Sequence, residues 1–338
     1  MKTKRIALIA AGLSMAGISS GFASPLGPPT PAPMSAIGAG VQSQTNASAY
    51  ITLPTISSII QQSLRGFGTP GTRNALGSPT RTGMGASADS ESMPIQAWFD
   101  ANGGSARNSL AIGGYNLTSY GPQAGLQAQI TPKLVVGLGV SWLDTAGSLS
   151  GGFTSHAVTV GATPYIGWQF DDHWNVSAIA GYSSARTGLR NTTLAYGADY
   201  TTDQWTFQGA LNGSYTVDKI KLLPVVSFLH TGTNNRAFVD SNGTRNAATA
   251  SNLDRGSVGG SVSLPLTGWE PYVRAAGEYD FTVPTGSKPN GNAGATIGAG
   301  ATITLSDSTS LSLDGGYNSL GRAGLALWSG DVRVSIQF

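Results

Sequence analysis

The sequence has 338 residues, of which only 11% are charged, and it contains 47 glycines and no cysteine. The high glycine content and the low charge are unusual for a soluble globular protein. No segment of the exported chain offers the roughly 20 consecutive apolar residues of a membrane helix, which argues against a helical inner-membrane protein. Disulfides are excluded, and the near balance of 19 basic and 17 acidic residues gives no indication of nucleic-acid binding.

The N-terminus has the three parts of an export signal. Three basic residues within the first five positions precede an apolar stretch, residues 6–18, and a small-x-small cleavage motif ends at Ala23. The apolar stretch is too short for a membrane anchor, and proline-rich sequence follows soon after it. Residues 1–23 are therefore predicted to be a signal peptide that is cleaved near Ala23.

Residues 24–93 form an extension that is rich in proline, glycine and serine. Within it, residues 49–65 carry four apolar side chains at the spacing of one helix face. These are Leu53, Ile56, Ile60 and Leu64. Because Pro54 is tolerated in a first helical turn and Gly66 is a plausible helix end, we predict a short helix near residues 49–65.

Residues 94–338 repeat a different pattern, in which apolar residues alternate with polar or small ones over runs of about eight to ten positions. Because successive side chains of a β-strand point to opposite faces, each run has one apolar and one polar face. The last run places Val332, Val334, Ile336 and Phe338 on one face and Asp331, Arg333, Ser335 and Gln337 on the other. Strands of this kind are typical of a transmembrane β-barrel.

The alternation predicts an all-β fold, a barrel of twelve antiparallel membrane-spanning strands. The strands are expected near residues 95–102, 123–130, 134–142, 156–170, 174–182, 205–217, 220–230, 257–266, 271–281, 293–305, 310–317 and 325–338. Short turns alternate with three long polar segments that we predict to be external loops, at residues 103–121, 184–198 and 231–252. The even count places both barrel ends on the periplasmic side, and the last strand must pair with the first because an open edge in hydrocarbon leaves backbone groups unpaired.

A soluble β-sandwich is the competing interpretation of the same alternation. It would need more surface charge than 11% of the residues supplies. Aromatic residues cluster at the ends of the predicted strands, as in the two aromatic girdles of membrane barrels. We therefore favour the membrane barrel.

Strand parity identifies six charged side chains that should face the lumen. They are Asp100, Arg274, Glu278, Asp280, Asp314 and Arg333. Charge on the lipid face at mid-membrane costs roughly 2–4 kcal/mol for Arg or Lys, so inward placement is expected. Arg274 and Glu278 lie four positions apart on one face, and they could pair with neighbouring strands, with a plug, or simply with each other.

The sequence shows no catalytic, cofactor-binding or metal-binding set. His156, His173 and His230 are scattered and do not combine with a serine and an acidic residue into a hydrolase triad. Three dispersed histidines without cysteine also argue against a transition-metal site. We predict that the protein is not an enzyme and uses no cofactor.

Four pieces of the sequence resemble the translocator β-barrel domain of type V autotransporters. They are Ala97-Trp98-Phe99, GLQAQITPKLVVGLGVSW, WEPYVRAAGEYDF and the ending DVRVSIQF. The resemblance covers about residues 95–338 and implies a twelve-stranded pore in the outer membrane of a Gram-negative bacterium. It also implies export of an N-terminal passenger and a C-terminal phenylalanine that is read by the outer-membrane assembly machinery.

From this resemblance we expect Val334, Ile336 and Phe338 to form the C-terminal assembly signal. The expected partners are outer-membrane lipid, the barrel-assembly machinery and periplasmic chaperones, and the barrel is expected to be a monomer that binds no nucleic acid. Residues 24–93 are very short for a passenger, so they represent either a vestigial passenger or a plug of the pore. The predicted function is a translocator barrel that houses or exports this segment; the alternative is a porin-like channel or a surface-loop adhesion barrel without a secreted passenger.

Overall fold

The computed structural model describes residues 95–109, 114–283 and 291–338. The predicted signal peptide and the predicted helix near residues 49–65, with Leu53, Ile56, Ile60 and Leu64, lie outside the described residues. In the part that is described, no helix is long and apolar enough to cross a membrane.

The described chain forms fifteen β-strands. The strands are β1 (Ile95–Asn108), β2 (Tyr115–Thr131), β3 (Leu134–Leu149), β4 (Phe153–Gln169), β5 (Trp174–Asn191), β6 (Tyr196–Gly213), β7 (Tyr215–Val217), β8 (Ile220–Asn235), β9 (Phe238–Val239), β10 (Arg245–Asn246), β11 (Thr249–Ser263), β12 (Trp269–Thr282), β13 (Ala293–Ser306), β14 (Thr309–Leu320) and β15 (Leu325–Gln337). The short strand β7 follows β6 and, like β6, pairs with β8. Strands β9 and β10 form a separate small hairpin between β8 and β11 in the sequence.

The remaining twelve strands form a closed antiparallel barrel. Each of these strands pairs with the strands that precede and follow it in the sequence, and β8 pairs with β11. The last strand, β15, pairs with β1 over thirteen residue positions, from Gln96↔Gln337 to Asn108↔Leu325. The backbone of Phe338 adds a further bond to this seam, since its N–H donates to the carbonyl of Ile95 at 2.9 Å. The prediction of a closed barrel of twelve antiparallel strands is confirmed.

In the half of the barrel nearest the start of β1 and the end of β15, apolar side chains on the outer face alternate with polar side chains on the inner face, as predicted. Leu126, Leu138 and Val140 are exposed on the outer face, whereas Gln123 and Gln127 are buried on the inner face. Exposed aromatic rings flank the outer apolar band on both sides. These rings are Trp142, Trp205 and Phe281 on one side and Trp168, Phe170, Trp269 and Phe338 on the other. The end of the barrel at which β1 begins and β15 ends also has short turns, as is typical of the periplasmic end.

The prediction of three long external loops is wrong. Residues 103–121 and 184–198 are mostly strand, and residues 231–252 contain the ends of β8 and β11 together with the β9–β10 hairpin. Here the strands continue beyond the membrane, where the outer face must be polar because it meets water. Polar outward residues on a strand were therefore mistaken for the polar residues of a loop.

The amphipathic pattern inverts along these extended strands. In β2, Leu126 faces outward and Gln123 inward in the membrane half, whereas Thr118 faces outward and Leu117 inward near the external turn. Inward apolar residues at the external end form one buried cluster, which we call the external core. Its members are Ala106, Tyr115, Leu117, Leu149, Phe153, Leu189, Tyr196, Ala198, Tyr200, Leu325 and Leu327, with Phe238 of β9 packed against them.

Candidate functional site in the barrel lumen

Ionic groups concentrate on one wall of the lumen, formed by β8, β11, β12, β14, β15 and β1. The structure places all six of the predicted lumen residues on the inner face of this wall. They do not form one site. They belong to two ionic clusters, and within each cluster carboxylates form ion pairs with guanidinium groups.

The first cluster begins at the seam between the first and last strands. Asp100 of β1 and Arg333 of β15 are directly opposite in the register, and Arg333 Nε donates to Asp100 Oδ2 at 3.1 Å. Both residues are almost fully buried, at 0% and 2% exposed. Asp331 lies on the same face as Arg333, with 3.7 Å between its Oδ2 and Arg333 Nη2. A charge pair removed from water in this way fixes which groups face each other across the closing seam.

The same cluster continues through Arg274 and Asp314. Arg274 of β12 donates to Asp314 of β14 at 2.7 Å from Nη2 and 3.3 Å from Nε, and Tyr272 donates to the same carboxylate at 2.6 Å. Strand β13 lies between these two strands, and its inner face is occupied here by Gly298 and Gly300. The missing side chains leave room for the guanidinium and phenol groups to lie across β13.

The second cluster lies closer to the external end. Arg255 of β11 contacts Glu278 at 3.0 Å and Asp280 at 2.6 Å, and Arg322, in the β14–β15 turn, contacts Asp280 at 2.7 Å. Arg322 passes over Gly294 of β13, where an added Cβ would lie 2.5 Å from its Nε. Arg274 and Glu278 are therefore not paired with each other, because Arg274 binds Asp314 on β14 and Glu278 binds Arg255 on β11.

Sequence reasoning missed Arg255 and Arg322. Arg255 fell just before the predicted start of its strand at residue 257, although it continues the inward parity of that strand. Arg322 lies in a turn, where strand parity gives no information. A third inward pair, Lys221 with Glu270 at 3.0 Å near the periplasmic end, was also not predicted.

The opposite wall of the lumen, formed by β2 to β6 and covered in part by Trp98 of β1, presents amide, hydroxyl and aromatic groups. Trp98 Nε1 donates to the Tyr165 hydroxyl at 3.1 Å, and this hydroxyl donates to Gln127 Oε1 at 3.0 Å. The indole of Trp98 extends from β1 across Gly125 of β2 to Gly139 of β3. The lumen therefore has one ionic wall and one neutral polar wall.

Some inward polar atoms remain without a protein partner. Among the described residues these include Gln123 Nε2, Asn212 Oδ1 and Thr231 Oγ1. Because buried polar groups in folded proteins are generally hydrogen-bonded, such atoms require water or another segment as a partner.

The C-terminal residues Val334, Ile336 and Phe338 lie on the outer face of β15 at the periplasmic end. Ile336 and Phe338 are exposed, Phe338 to 77%, and Val334 is half-buried. Their outward direction leaves them available to lipid or to a protein that contacts the last strand from outside.

The three histidines stay apart in the structure. His156 lies 3.0 Å from Asp144 and His230 lies 2.6 Å from Asp254, both on outward positions, whereas His173 occupies a turn at the periplasmic end. The described part of the chain contains no group of three or more acidic, histidine or cysteine residues that could hold a metal ion.

A family model matches most of this barrel. The model described as the autotransporter beta-domain matches residues 97–316. A search of curated protein sequences gave no match.

Three solved structures that this barrel resembles are domains of autotransporters. The translocator domain of the autotransporter NalP from Neisseria meningitidis aligns with a TM-score of 0.63 and 14% identity, over 86% of this chain and 99% of that one. The β-domain of the Bordetella autotransporter BrkA aligns with a TM-score of 0.61 and 16% identity, over 72% and 99%. The transport unit of the autotransporter AIDA-I from Escherichia coli aligns with a TM-score of 0.54 and 16% identity, over 79% and 97%. At these identities the likeness to solved structures shows the fold alone, whereas the family match favours a translocator over a porin-like channel or an adhesion barrel.

Proposed function

Because the chain belongs to the autotransporter β-domain family and is a translocator barrel of the outer membrane of Gram-negative bacteria, we propose that its lumen receives residues 24–93 from the periplasmic end and houses or exports them. The observation that carries this proposal is that inward polar atoms of the neutral wall, such as Gln123 Nε2 and Asn212 Oδ1, have no hydrogen-bond partner in the described part of the chain. The extension joins the barrel at the beginning of β1, which lies at the periplasmic mouth of that lumen.

The charges of the lumen and of the extension are compatible. The inward guanidinium groups are paired with carboxylates, so an entering segment does not have to supply negative charge. Residues 24–93 contain only five charged side chains and many hydroxyl and amide groups. A nearly neutral polar segment can satisfy the free amide and hydroxyl atoms without breaking buried ion pairs, which would be costly.

The expected helix near residues 49–65 is the segment that we assign to the lumen. Its polar positions are mostly serine, threonine and glutamine, and its one charge is Arg65. Whether this segment remains inside as a plug or passes outside as a vestigial passenger, it must first enter the same polar channel.

We also propose that Val334, Ile336 and Phe338 form the signal by which the assembly machinery recognises the last strand. Their outward direction at the periplasmic end supports this role, since a factor that binds from outside the barrel can reach them. Periplasmic chaperones would carry the exported chain after cleavage of residues 1–23 near Ala23. The proposed barrel acts as a monomer and carries out no catalysis, in keeping with a family that is generally non-enzymatic.

Photocross-linking in the full-length chain tests the entry of the extension. A photoreactive amino acid at Ile60 should cross-link to inward residues of the neutral wall, such as Gln123 or Asn212, as mapped by mass spectrometry. The matched control carries the same amino acid at Leu126, which faces lipid and should give no cross-link to residues 24–93. Cross-links from Ile60 only to outward positions, or to other proteins, would contradict the proposal.

External protease then distinguishes the two end states. Intact cells are treated with protease, and an epitope placed next to Arg65 is followed by immunoblotting. Loss of the epitope means export, whereas protection until the outer membrane is opened means that the segment is housed in the lumen or on its periplasmic side.

A further inference from the structure

Three arginines lie close together on the outer face of the barrel, in its external half. Arg186 and Arg190 occupy exposed outward positions of β5, and Arg236 follows the end of β8 with 60% of its side chain exposed. We call these three residues the arginine patch. The inner face of the same region carries Leu189 and Tyr200 of the external core, so the patch lies on a wall whose inner side is packed.

The arginine patch has one positive charge more than the carboxylates that lie beside it. Arg190 Nη2 donates to both carboxylate oxygens of Asp199, at 2.7 and 2.9 Å. Arg236 Nε donates to Asp203 Oδ2 at 2.7 Å. These two interactions occupy both outward carboxylates of β6, and Arg186 forms no hydrogen bond or ion pair within the described part of the chain. Its charge is therefore available to an external partner.

Arg186 and Arg236 are close enough to contact one ligand. Arg186 pairs with Thr201 of β6 in the strand register, and the backbone N–H of Arg236 donates to the carbonyl of Thr201 at 2.9 Å. The two arginines therefore flank Thr201 from its two neighbouring strands, about 10 Å apart at their Cα atoms, because adjacent strands are ~4.8 Å apart. Two long side chains at this separation can reach the same anionic group.

The height of the arginine patch corresponds to the headgroup layer of the membrane. Tyr182 of β5 and Trp205 of β6 pair in the register and are exposed at the outer edge of the apolar band, and Phe207 is exposed within the band. Arg186 and Thr201 each lie four residues beyond the aromatic residue of their own strand. Four residues of a strand tilted by about 45° rise by roughly 9 Å, and a long arginine side chain can reach down from there to the headgroups.

We propose that the arginine patch binds the phosphate groups of a glycolipid in the outer leaflet of the outer membrane. Guanidinium groups donate strong, charge-assisted hydrogen bonds to phosphate oxygens, so Arg186 and Arg236 can hold the headgroup. The acyl chains of the same molecule then lie against Tyr182, Trp205 and Phe207, which are exposed below the patch on the same two strands. This inference rests on the location of the barrel in the outer membrane and does not depend on what the lumen holds.

Lipid binding by the refolded full-length barrel in micelles tests the proposal. The probes are lipid A that carries two phosphates and the same lipid after removal of both phosphates, and native mass spectrometry measures the bound lipid over a concentration series. The natural chain should bind the phosphorylated lipid about tenfold more tightly than the dephosphorylated one. R186Q should remove most of this preference and R186E should abolish it. Because Arg186 has no carboxylate partner in the described part of the chain, neither substitution leaves an acidic group unpaired.

The matched control is R107Q. Arg107 is an exposed outward arginine of β1, and its register neighbours are Asn116 of β2 and Ala326 of β15, so no second arginine lies beside it. R107Q should keep the affinity for phosphorylated lipid A within about twofold of the natural chain. Heat-modifiable gel mobility verifies folding, and R186Q decides the test if R186E does not fold. The proposal is wrong if the natural chain shows no preference for the phosphorylated lipid, if folded R186Q and R186E retain that preference, or if R107Q weakens binding as much as R186Q.

Discussion

Arg274 on β12 bonds to Asp314 on β14 without contacting a side chain of β13, the strand that lies between them. The bridge is possible because Gly298 on β13 and Gly316 on β14 leave the inner wall flat. A Cβ at Gly298 would lie 2.7 Å from Arg274 Nε, and one at Gly316 would lie 2.6 Å from Nη2. The contact between Arg274 and Asp314 thus links β12 to β14 across β13, in addition to the backbone hydrogen bonds between these strands.

The first prediction concerns this glycine. Gly298→Val should displace the guanidinium of Arg274 and leave the Asp314 carboxylate short of its partner, which we expect to lower the free energy of unfolding by about 2–3 kcal/mol. The measurement is urea unfolding of the refolded barrel in micelles. Gly209→Val is the control, since an added Cβ there meets no atom within 4 Å and should change stability much less. Equal losses in the two variants would show that strand glycines matter only through the backbone.

The second prediction concerns the seam between β1 and β15. Asp100→Asn should destabilise the barrel by about 3–5 kcal/mol, because it removes the carboxylate that pairs with the buried Arg333 at 3.1 Å. The double variant Asp100→Asn with Arg333→Gln should recover part of this loss, since the guanidinium that lost its carboxylate is removed as well. Urea unfolding of the four combinations gives the coupling free energy.

An exposed ion pair supplies the control for the seam. Arg190 and Asp199 are bonded at 2.7 Å but are largely open to solvent, so Asp199→Asn should cost less than about 1 kcal/mol. A coupling free energy near zero between Asp100 and Arg333 would contradict the idea that this pair stabilises barrel closure.

The strand pattern of the membrane half could be predicted from sequence because one solvent, lipid, imposes one outward polarity. Parity therefore placed Asp100, Arg274 and Arg333 on the inner face without knowledge of their partners. The alternation gave a wrong prediction where the outer face of the barrel passes from lipid into water. Above the membrane the outer face meets water, so strand residues such as Thr118 and Asp199 gave the signal of a loop. The inward series Tyr196, Ala198 and Tyr200 was the available sign that the strand continues.

The partners of the lumen charges could not be predicted in the same way. Arg322 reaches its carboxylates from a turn, and Arg274 reaches Asp314 across an intervening strand. Both contacts depend on glycines at inward positions of β13. Because glycine has no side chain, its polarity does not indicate which face of the strand it lies on. Strand order, register and side-chain space must all be known before these pairs can be assigned.

The third prediction concerns the neutral wall. Tyr165→Phe removes the hydroxyl that accepts from Trp98 Nε1 and donates to Gln127 Oε1, leaving two buried polar atoms without this partner. We expect a loss of about 2 kcal/mol in the free energy of unfolding, together with altered Trp fluorescence, since the indole N–H loses its acceptor. Tyr120→Phe, at an exposed outward position, is the matched control and should change stability by under about 0.5 kcal/mol. Unchanged stability in Tyr165→Phe would mean that water replaces the hydroxyl without cost.

The last prediction separates assembly from stability at the C-terminus. The side chain of Phe338 is 77% exposed, and its fold contact is the backbone bond to Ile95, which Phe338→Ala preserves. The refolded variant should therefore lose less than about 1 kcal/mol of stability, while the amount of folded barrel in the outer membrane of cells should fall several-fold if the residue acts as an assembly signal. Immunoblotting of membrane fractions with and without heating measures the folded amount, and urea unfolding measures the stability. Trp328→Ala is the control, because it removes an exposed aromatic ring from the external half of the same strand and should leave assembly intact. Normal assembly of Phe338→Ala, or an equal defect in Trp328→Ala, would remove the specific role of the terminal residue.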